Sequence, residues 1–453
     1  MNESSLVDLY EEFMELEVDN HLFDFSVDNI YYWELIRREV YIHIRNQIFN
    51  MEITRSAFDS GQNTPAKSQQ SYPIKKYIIS IPNLIPSRKL LFDENIIFFN
   101  INDRQMGKCD ENKSFIEHYF STVTNDKSVI NDIELPYKEY TYIYDKIKKA
   151  DQIQTNKSFN SQIRLIEGKI KTRFSIELDI MDYTLSRIRK FNKNTRIYNM
   201  VLSLSNTQAI IMRGVNRGLL RACKKQKIPT IQLTQSPTKS HASFDFRSNN
   251  INYFSDYLFV PGDSWKSDID YPIPEEDVYV VGNPYHELKR KETKCSAGNT
   301  ILIISQPSLQ SKFVNWAVEI DRETSMDVIL KIHPKADSTK FPEQLLNSPV
   351  RVCQDEDLYD LFSKSVIQVG AYSSAVLEGA NLGIKTILID GPWVNQITSH
   401  LPYYSYEICG KPADISLYFD ENMDNIRVPP NCVYASSSQK RIQHALEDVG
   451  INE

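Results

Sequence analysis

A chain of 453 residues is longer than one hydrophobic core usually supports, so we expect at least two domains. Hydrophobic residues make up 41% and charged residues 25%, a balance that excludes a disordered or fibrous protein. The formal net charge of -7 excludes a global basic field of the kind that drives binding to nucleic acid or anionic membranes.

The spacing of the cysteines and the hydropathy of the chain bear on where in the cell the protein is located. The cysteines are far apart and form no CxxC pair, so neither a zinc site nor a redox motif is indicated. The N-terminus lacks a basic stretch followed by an apolar one, and no window approaches the ~18 apolar residues of a membrane-spanning helix. We therefore expect a cytoplasmic protein, with peripheral association with the inner membrane left open.

The N-terminal part is predicted to combine helices with a parallel sheet. Apolar residues at helical spacing predict two amphipathic helices within residues 1–50 and a helical block over 114–205. Two short apolar runs have the length of buried strands, and further along the chain predicted strands alternate with helices. This alternation implies a parallel sheet covered by helices. The predicted strands lie at 77–81, 96–100, 209–212, 230–235, 257–260 and 278–281.

The C-terminal part shows a more regular alternation. Residues 288–299 are charged and small, which is typical of an interdomain linker. We therefore predict a first Rossmann-like domain over 1–287, a second over 300–435, and a helix within 436–453 that returns to the first domain. The predicted strands of the second domain lie at 301–305, 328–332, 350–353, 366–370 and 386–390.

Polar residues follow three strands of the second domain, at the point where each strand ends. In an open parallel sheet, ligands bind outside the carboxyl ends of the strands, so these residues form a candidate site. They are Ser305, Gln306 and Ser308 after one strand, His333, Pro334 and Lys335 after another, and Tyr372, Ser373 and Ser374 after a third.

The Ser373-Ser374 pair opens a predicted helix. Hydroxyls and free N–H groups at a helix N-terminus form an anion site that the helix dipole reinforces. The alternative is an ordinary helix N-cap.

Glu378 lies one turn after Ser374 on the same face of the helix, where it can accept hydrogen bonds from ribose hydroxyls; the alternative is a solvated carboxylate. His333 alone is equally compatible with a hydrogen-bonded loop histidine.

Four sequence segments carry a resemblance to known groups of enzymes. The run KIHPK at 331–335, followed by AYSSAVLEGANLGIKTILID at 371–390, resembles the HP and Ser-Ser motifs of bacterial GT-B sialyltransferases and Kdo-transferase-like capsule enzymes. It also resembles the polyglycerol-phosphate transferases of teichoic-acid synthesis. Upstream, IPTIQLTQSP at 228–237 and VVGNPYHEL at 280–288 resemble surface-polysaccharide transferases.

The resemblance covers residues 200–390 and implies a fold and site roles. The fold would be GT-B, with two Rossmann-like domains facing a central cleft and extra N-terminal and middle helices. His333, Ser373 and Ser374 would hold the phosphate of the departing nucleotide. Glu378 would contact the ribose, and residues 305–308 would border the donor phosphate.

The sequence departs from this pattern at two places. Many relatives carry Gln-His-Gly where this chain has Thr234, Gln235 and Ser236, so Gln235 replaces a histidine expected at the cleft. The chain also lacks the acidic pair followed by glycine that supplies the base in several sialyltransferases.

The acceptor side is predicted from residues that follow strands of the first domain. A general base must lie within hydrogen-bond reach of the attacking hydroxyl, and Asp103 and His241 are the best-placed candidates. Either is equally readable as a loop residue that makes hydrogen bonds. Arg104 and Arg213 are placed to bind an acidic acceptor or a donor carboxylate, although surface salt bridges explain them as well.

No metal is expected. The two DxD-type matches, residues 268–270 and 355–357, fall in a connecting segment and at a helix start, so we interpret them as surface charge or helix capping. A helix dipole, hydroxyls and His333 would stabilise the leaving phosphate instead. No cofactor is expected beyond the nucleotide-sugar substrate.

Together these features predict an inverting glycosyltransferase that moves a sugar onto a capsule or lipopolysaccharide glycan or glycolipid. A CMP-activated nonulosonic acid or Kdo-type keto-sugar is favoured as the donor, because the HP and Ser-Ser pairing suits a leaving group with one phosphate. The alternatives are a CDP-alditol phosphotransferase, a UDP-sugar transferase or 2-epimerase, and an inactive GT-B scaffold in a polysaccharide assembly complex. An epimerase requires several carboxylates and histidines around the sugar, which the sequence does not supply.

Overall fold

The computed structural model contains two six-stranded parallel sheets, one per domain, and a short antiparallel hairpin. The predicted α/β class with two Rossmann-like domains of GT-B type is therefore confirmed. The structure describes residues 5–49, 96–100, 128–131, 156–203, 206–234, 241–248, 251–293, 298–334, 343–418 and 428–451.

The sheet of the first domain has the strand order β4-β3-β5-β6-β7-β8, and every adjacent pair is parallel. The hairpin near the N-terminus pairs β1 with β2. The strands are β1 (Ser26–Val27), β2 (Ile30–Tyr31), β3 (Ile96–Asn100), β4 (Ser128–Asn131), β5 (Ala209–Arg213), β6 (Thr230–Leu233), β7 (Tyr257–Val260) and β8 (Val278–Val280).

Strand β4 lies within residues 114–205, which were predicted to be a helical block, and it corrects that prediction at residues 128–131. The strand has only four residues, too few to show a period of two, and its register comes from pairing with β3 far away in sequence. The predicted strand at 77–81 lies outside the described residues.

The helices of the first domain cover its sheet and form an N-terminal helical layer. Helix α1 begins with a capping box, in which Ser5 Oγ accepts from Asp8 N at 3.1 Å and Asp8 Oδ2 accepts from Ser5 N at 2.8 Å. The helices are α1 (Leu6–Asp19), α2 (Trp33–Phe49), α3 (Lys157–Phe174), α4 (Met181–Leu202), α5 (Arg217–Gln226), α6 (Asp263–Ser267) and α7 (Pro284–Glu292).

A fully buried arginine joins this helical layer to the segment that follows β6. Arg37 on α2 donates from Nε and Nη2 to the two carboxylate oxygens of Glu17 on α1, at 2.7 Å each. Its Nη1 donates to the carbonyl of Ala242 at 2.7 Å, and its guanidinium lies 4.2 Å from the centroid of the Phe246 ring. Because a buried charge requires paired oxygens, this contact fixes residues 241–246 against α1 and α2.

The second sheet has the strand order β11-β10-β9-β12-β13-β14, which is the Rossmann order 3-2-1-4-5-6 counted from β9. Its strands are β9 (Thr300–Ile304), β10 (Asp327–Lys331), β11 (Arg351–Cys353), β12 (Ser365–Gly370), β13 (Lys385–Ile389) and β14 (Tyr406–Cys409). Strand β14 was not predicted. It is a partly exposed edge strand, so it lacks the continuous apolar run that identifies the buried strands.

The helices of the second domain pack on both faces of its sheet, except that the last one crosses to the first domain. Ile442 and Leu446 of that helix pack with Ile231 and Phe259 of the first sheet. The helices are α8 (Gln310–Glu323), α9 (Glu343–Leu346), α10 (Leu358–Lys364), α11 (Ser374–Asn381), α12 (Val394–Thr398) and α13 (Ser438–Asp448). Among the described residues, none of the helices has the length and apolarity needed to cross a membrane.

Candidate functional site

The strand order predicts a ligand-binding crevice between β9 and β12. These two strands are neighbours in the sheet, with Ile303 opposite Val369, yet they lie at the point where the strand order reverses. Chain segments leaving their carboxyl ends therefore turn to opposite faces and leave room for a ligand between them. The first segment begins at Ser305 and the second at Ala371.

Hydrogen bonds join the predicted site residues from three strand ends. The backbone N of Tyr372, after β12, donates to Gln306 Oε1, after β9, at 3.2 Å. The hydroxyls of Ser308 and Tyr372 are 2.5 Å apart. The backbone N of His333, after β10, donates to Ser305 Oγ at 3.4 Å. The structure thus brings these five residues together at one edge of the sheet.

The turn from β12 into α11 is tight. A Cβ on Gly370 would lie 2.2 Å from Val376 Cγ2, so only glycine allows the helix to start this close to the strand. Ser373 is the N-cap and accepts from Ala375 N at 3.3 Å. Ser373 thus performs the capping role that was its alternative reading, while its role in phosphate binding stays a prediction.

Ser374 has a different environment. It is the first residue of α11 and is partly exposed, and its hydroxyl makes no hydrogen bond to the part of the chain that the structure describes. Ala375 N and Val376 N already donate to Ser373 Oγ and to the Ser373 carbonyl oxygen, so the Ser374 hydroxyl and the helix dipole are what this helix start offers an anion.

The loop after β10 is held by a side chain from the next strand. Gln354 Nε2, beyond β11, lies 3.3 Å from the carbonyl oxygen of His333 and 3.4 Å from that of Pro334. His333 is half-buried and Pro334 is exposed. Lys335 lies outside the described residues.

Glu378 is held by a residue that the sequence analysis did not identify. Tyr359 on α10 donates its hydroxyl hydrogen to Glu378 Oε2 at 2.7 Å. Burial raises the pKa of the Glu378 carboxyl to about 7, against the opposing effects of the Tyr359 hydrogen bond and of Arg213, while Asp357 adds a smaller increase. The carboxyl group therefore titrates near neutral pH.

The effect of Arg213 on the pKa of Glu378 connects the two domains. Arg213 ends β5 of the first sheet, whereas Glu378 lies at the carboxyl edge of the second sheet. Because the arginine charge lowers the pKa of this carboxyl, the two residues lie within electrostatic reach across the cleft between the domains.

His241 lies against α2, apart from the strand-end cluster. Its Nδ1 accepts from Ser243 N at 3.2 Å. Burial lowers its pKa to about 3, and Arg38 and Arg45 add to the effect, so the ring is neutral with its proton on Nε2. Such a ring donates a hydrogen bond rather than accepting a proton, so this geometry lends no support to its predicted role as a base.

Several other predicted residues lie outside the described part of the chain. These include the second candidate base and the residues at the predicted Gln-His-Gly position: Asp103, Arg104, Gln235 and Ser236.

The DxD-type matches are engaged locally. Asp357 is the N-cap of α10 and accepts from Tyr359 N at 2.8 Å. Asp268 ends α6 and accepts from Ser267 Oγ at 2.8 Å. Within the described ranges, no group of three or more His, Cys, Asp or Glu side chains is placed to hold a metal ion.

Sequence motifs could not identify Tyr359 or its second partner, His286. Tyr359 is one apolar position of the amphipathic helix α10, and His286 follows Asn283 and Pro284 in an ordinary helix start. Only the fold brings Tyr359 to Glu378 and His286 to Tyr359.

No protein-family model matches this chain, and no curated protein matches it. Among solved structures, the UDP-GlcNAc 2-epimerase from Neisseria meningitidis bound to UDP-GlcNAc is 14% identical, with a TM-score of 0.48, over 78% of this chain and 100% of that one. The UDP-GlcNAc 2-epimerase from Methanocaldococcus jannaschii is 13% identical, with a TM-score of 0.46, over 78% and 99%. The glycotransferase of kitacinnamycin is 11% identical, with a TM-score of 0.42, over 79% and 95%. At these values the likeness assigns no activity to this chain, and its function rests on its own site residues.

Proposed function

We propose that this chain is a metal-independent, inverting glycosyltransferase that holds a nucleotide-activated sugar at the carboxyl edge of its second sheet. One observation carries the proposal: hydrogen bonds join the loops after β9, β10 and β12 at the place where the strand order reverses. Tyr372 N donates to Gln306 Oε1, and His333 N donates to Ser305 Oγ. Nucleotides bind at this place in doubly wound sheets.

The nucleotide phosphate is assigned to the start of α11. Ser374 Oγ supplies a hydrogen-bond donor there, and the helix dipole supplies positive potential. In the reaction, an acceptor hydroxyl attacks the anomeric carbon, the bond from that carbon to the phosphate oxygen breaks, and the nucleotide leaves with the electron pair. The negative charge that grows on the phosphate is stabilised by α11 and His333, while a base takes the acceptor proton.

The ribose is assigned to Glu378. Its Oε2 is already occupied by the Tyr359 hydroxyl, so Oε1 is the oxygen left for ribose hydroxyls. The free carboxyl has a pKa of about 7, and binding of hydroxyl donors favours the charged form.

The acceptor is assigned to the first domain, which presents positive charge at the end of β5. Arg213 ends this strand and Arg217 opens α5. Burial, together with Arg37 and Arg187, lowers the pKa of Arg217 to about 10, while Glu34 opposes the shift, so the guanidinium remains charged at pH 7. This charge suits an acidic acceptor glycan or the carboxylate of a keto-sugar donor.

Among donors we favour CMP-activated nonulosonic acids or Kdo, on the resemblance of the segments around His333 and Ser373 to bacterial sialyltransferases and Kdo-transferase-like enzymes. A thermal-shift and calorimetry screen with CMP, CDP, UDP and GDP tests this proposal. A ligand that binds only the native state raises its apparent stability.

We expect CMP to stabilise the protein most, and the double variant Ser373→Ala/Ser374→Ala to lose most of this stabilisation while keeping its unliganded melting temperature within a few degrees. Strong binding of UDP without CMP binding would favour hexose transfer or epimerisation instead. Failure of all four nucleotides to bind would refute the proposed donor site.

A further inference from the structure

Two buried side chains connect Glu378 to the helix between the domains. His286, in the first turn of α7, is 1% exposed, and its Nδ1 lies 3.1 Å from the hydroxyl oxygen of Tyr359. Tyr359, which is 5% exposed, donates to Glu378 Oε2 at 2.7 Å. The three side chains thus form one continuous hydrogen-bonded chain.

The direction of these hydrogen bonds follows from charge and burial. A carboxylate can only accept, so Tyr359 donates to Glu378, and the tyrosine oxygen then accepts from His286 Nδ1. Burial raises the pKa of Tyr359, which keeps its hydroxyl protonated, and burial lowers the pKa of His286 to about 3, which keeps its ring neutral. The single ring proton of His286 must then reside on Nδ1.

The surroundings of the other ring nitrogen of His286 also favour a proton on Nδ1. His286 Nε2 is buried and has no hydrogen-bond partner among the residues that the structure describes, so a proton there would have no acceptor. The ring is also held in place, because its backbone N donates to Asn283 Oδ1 at 3.1 Å and the ring of Tyr434 packs edge-on against it at 5.0 Å. The donor on His286 is therefore aimed at Tyr359.

We propose that His286 and Tyr359 are positioning residues that hold the Glu378 carboxylate in the orientation that recognises the ribose of a ribonucleotide. This inference rests on the proposed function. The hydrogen-bonded chain occupies Oε2 and leaves Oε1 to accept from the ribose, so it makes the site selective for ribose over deoxyribose. Because His286 belongs to α7, the helix that leads out of the first domain, the chain also ties donor recognition to the connection between the domains.

Calorimetric titration with CMP and with 2′-deoxy-CMP tests this inference. The wild-type protein should bind CMP more tightly, because the deoxy compound lacks a hydroxyl donor for Glu378. Tyr359→Phe removes the hydroxyl that orients the carboxylate, and we expect it to weaken CMP binding about tenfold, as for loss of a hydrogen bond to a charged group, with little change for 2′-deoxy-CMP.

Variants at His286 separate hydrogen bonding from packing. His286→Leu removes the donor and should reduce the preference for CMP, whereas His286→Asn retains an N–H near the Nδ1 position and should largely restore it. Phe362→Leu is the control for packing, since the Phe362 ring lies edge-on to the Tyr359 ring at 5.8 Å and carries no hydrogen-bonding group. It should keep the wild-type preference.

Two results would overturn the inference while leaving the proposed function in place. One is an unchanged preference for CMP in both Tyr359→Phe and His286→Leu. The other is an equal loss of affinity for both nucleotides, which would show a purely structural role. If the wild-type protein binds neither nucleotide, the proposed donor site fails and the inference fails with it.

Discussion

Glu378 illustrates how the environment of one residue sets its chemistry. It faces Tyr359 and Asp357 from α10, Arg213 from the first domain, and Tyr434 from the segment before α13. Burial is the largest influence and holds its pKa near 7, so at neutral pH the unliganded carboxyl exists in both protonation states. A ribose hydroxyl can donate only to an oxygen that accepts, which favours the ionised form.

This environment predicts a pH dependence of nucleotide binding. Since ribose binding favours the carboxylate, CMP affinity should rise as the pH increases through about 7 and level off above it. At pH 6 the affinity should be lower by up to about tenfold, because most of the carboxyl groups are then protonated. Calorimetry between pH 5.5 and 8.5 measures this.

Glu378→Gln provides the control, because the CMP phosphate itself titrates near pH 6. The variant removes the carboxyl titration and retains that of the ligand, so its pH profile should lose the component near 7. An identical profile in both proteins would show that Glu378 does not contact the nucleotide.

The sequence predicted some site residues and missed others for a physical reason. Ser373 and Glu378 could be placed because a helix start and its periodicity are local features. Tyr359 and His286 could not, because Tyr359 reaches Glu378, and His286 reaches Tyr359, only when the fold brings α7, α10 and α11 together. The tautomer of His241 also depends on Ser243 and the arginines of α2, which no motif reveals.

At the scale of elements, the three strand ends act as one unit. The bonds between Ser308 and Tyr372 and between Tyr372 and Gln306 fix the loops after β9 and β12 relative to each other. Gly370 allows α11 to begin directly behind β12. The helix N-terminus is therefore held at a fixed distance from the loop that carries His333.

This arrangement predicts that His333 and the serines act on the same phosphate. His333→Ala should reduce kcat by roughly 100-fold or more while changing acceptor KM little, as for other groups that stabilise developing charge. The Ser373→Ala/Ser374→Ala variant should fall in the same class. The combined variant should lose less than the sum of the two effects in free energy, because the side chains share one ligand.

Steady-state kinetics of sugar transfer measure the changes in kcat and KM, and calorimetry with CMP measures nucleotide binding by the same variants. Asp103→Asn, at a candidate base, is the contrasting variant, since it should impair transfer and leave nucleotide binding intact. Near-normal kcat and CMP affinity in His333→Ala would mean that the loop after β10 is structural.

A strand could be predicted from the sequence where its own residues form a recognisable pattern. Buried strands such as β9 and β12 appear as continuous apolar runs, and their positions agree with the prediction to within one or two residues. Strand β4 is too short to show a period, and β14 is a partly exposed edge strand. Both are defined by pairing with a neighbouring strand rather than by a local pattern.

At the scale of the whole molecule, the two sheets present their carboxyl edges to a shared cleft. Arg213 from the first domain influences Glu378 in the second, and the start of α1 reaches the second domain through Leu6 N, which donates to Pro392 O at 2.6 Å. In the opposite direction, α13 packs on the first sheet through Ile442 and Leu446. These crossings hold the donor and acceptor sides together.

Acceptor-dependent sugar transfer without a metal is tested most directly by a turnover assay in EDTA. The full chain is incubated with CMP-sialic acid or CMP-Kdo, with and without a capsule or lipopolysaccharide glycan, and free CMP and glycan product are measured. We predict CMP release that depends on the acceptor, persists in EDTA and falls by roughly 100-fold or more in Ser373→Ala/Ser374→Ala. An absolute requirement for Mn²⁺ or Mg²⁺, or acceptor-independent epimerisation of a UDP-sugar in place of CMP release, would contradict this account.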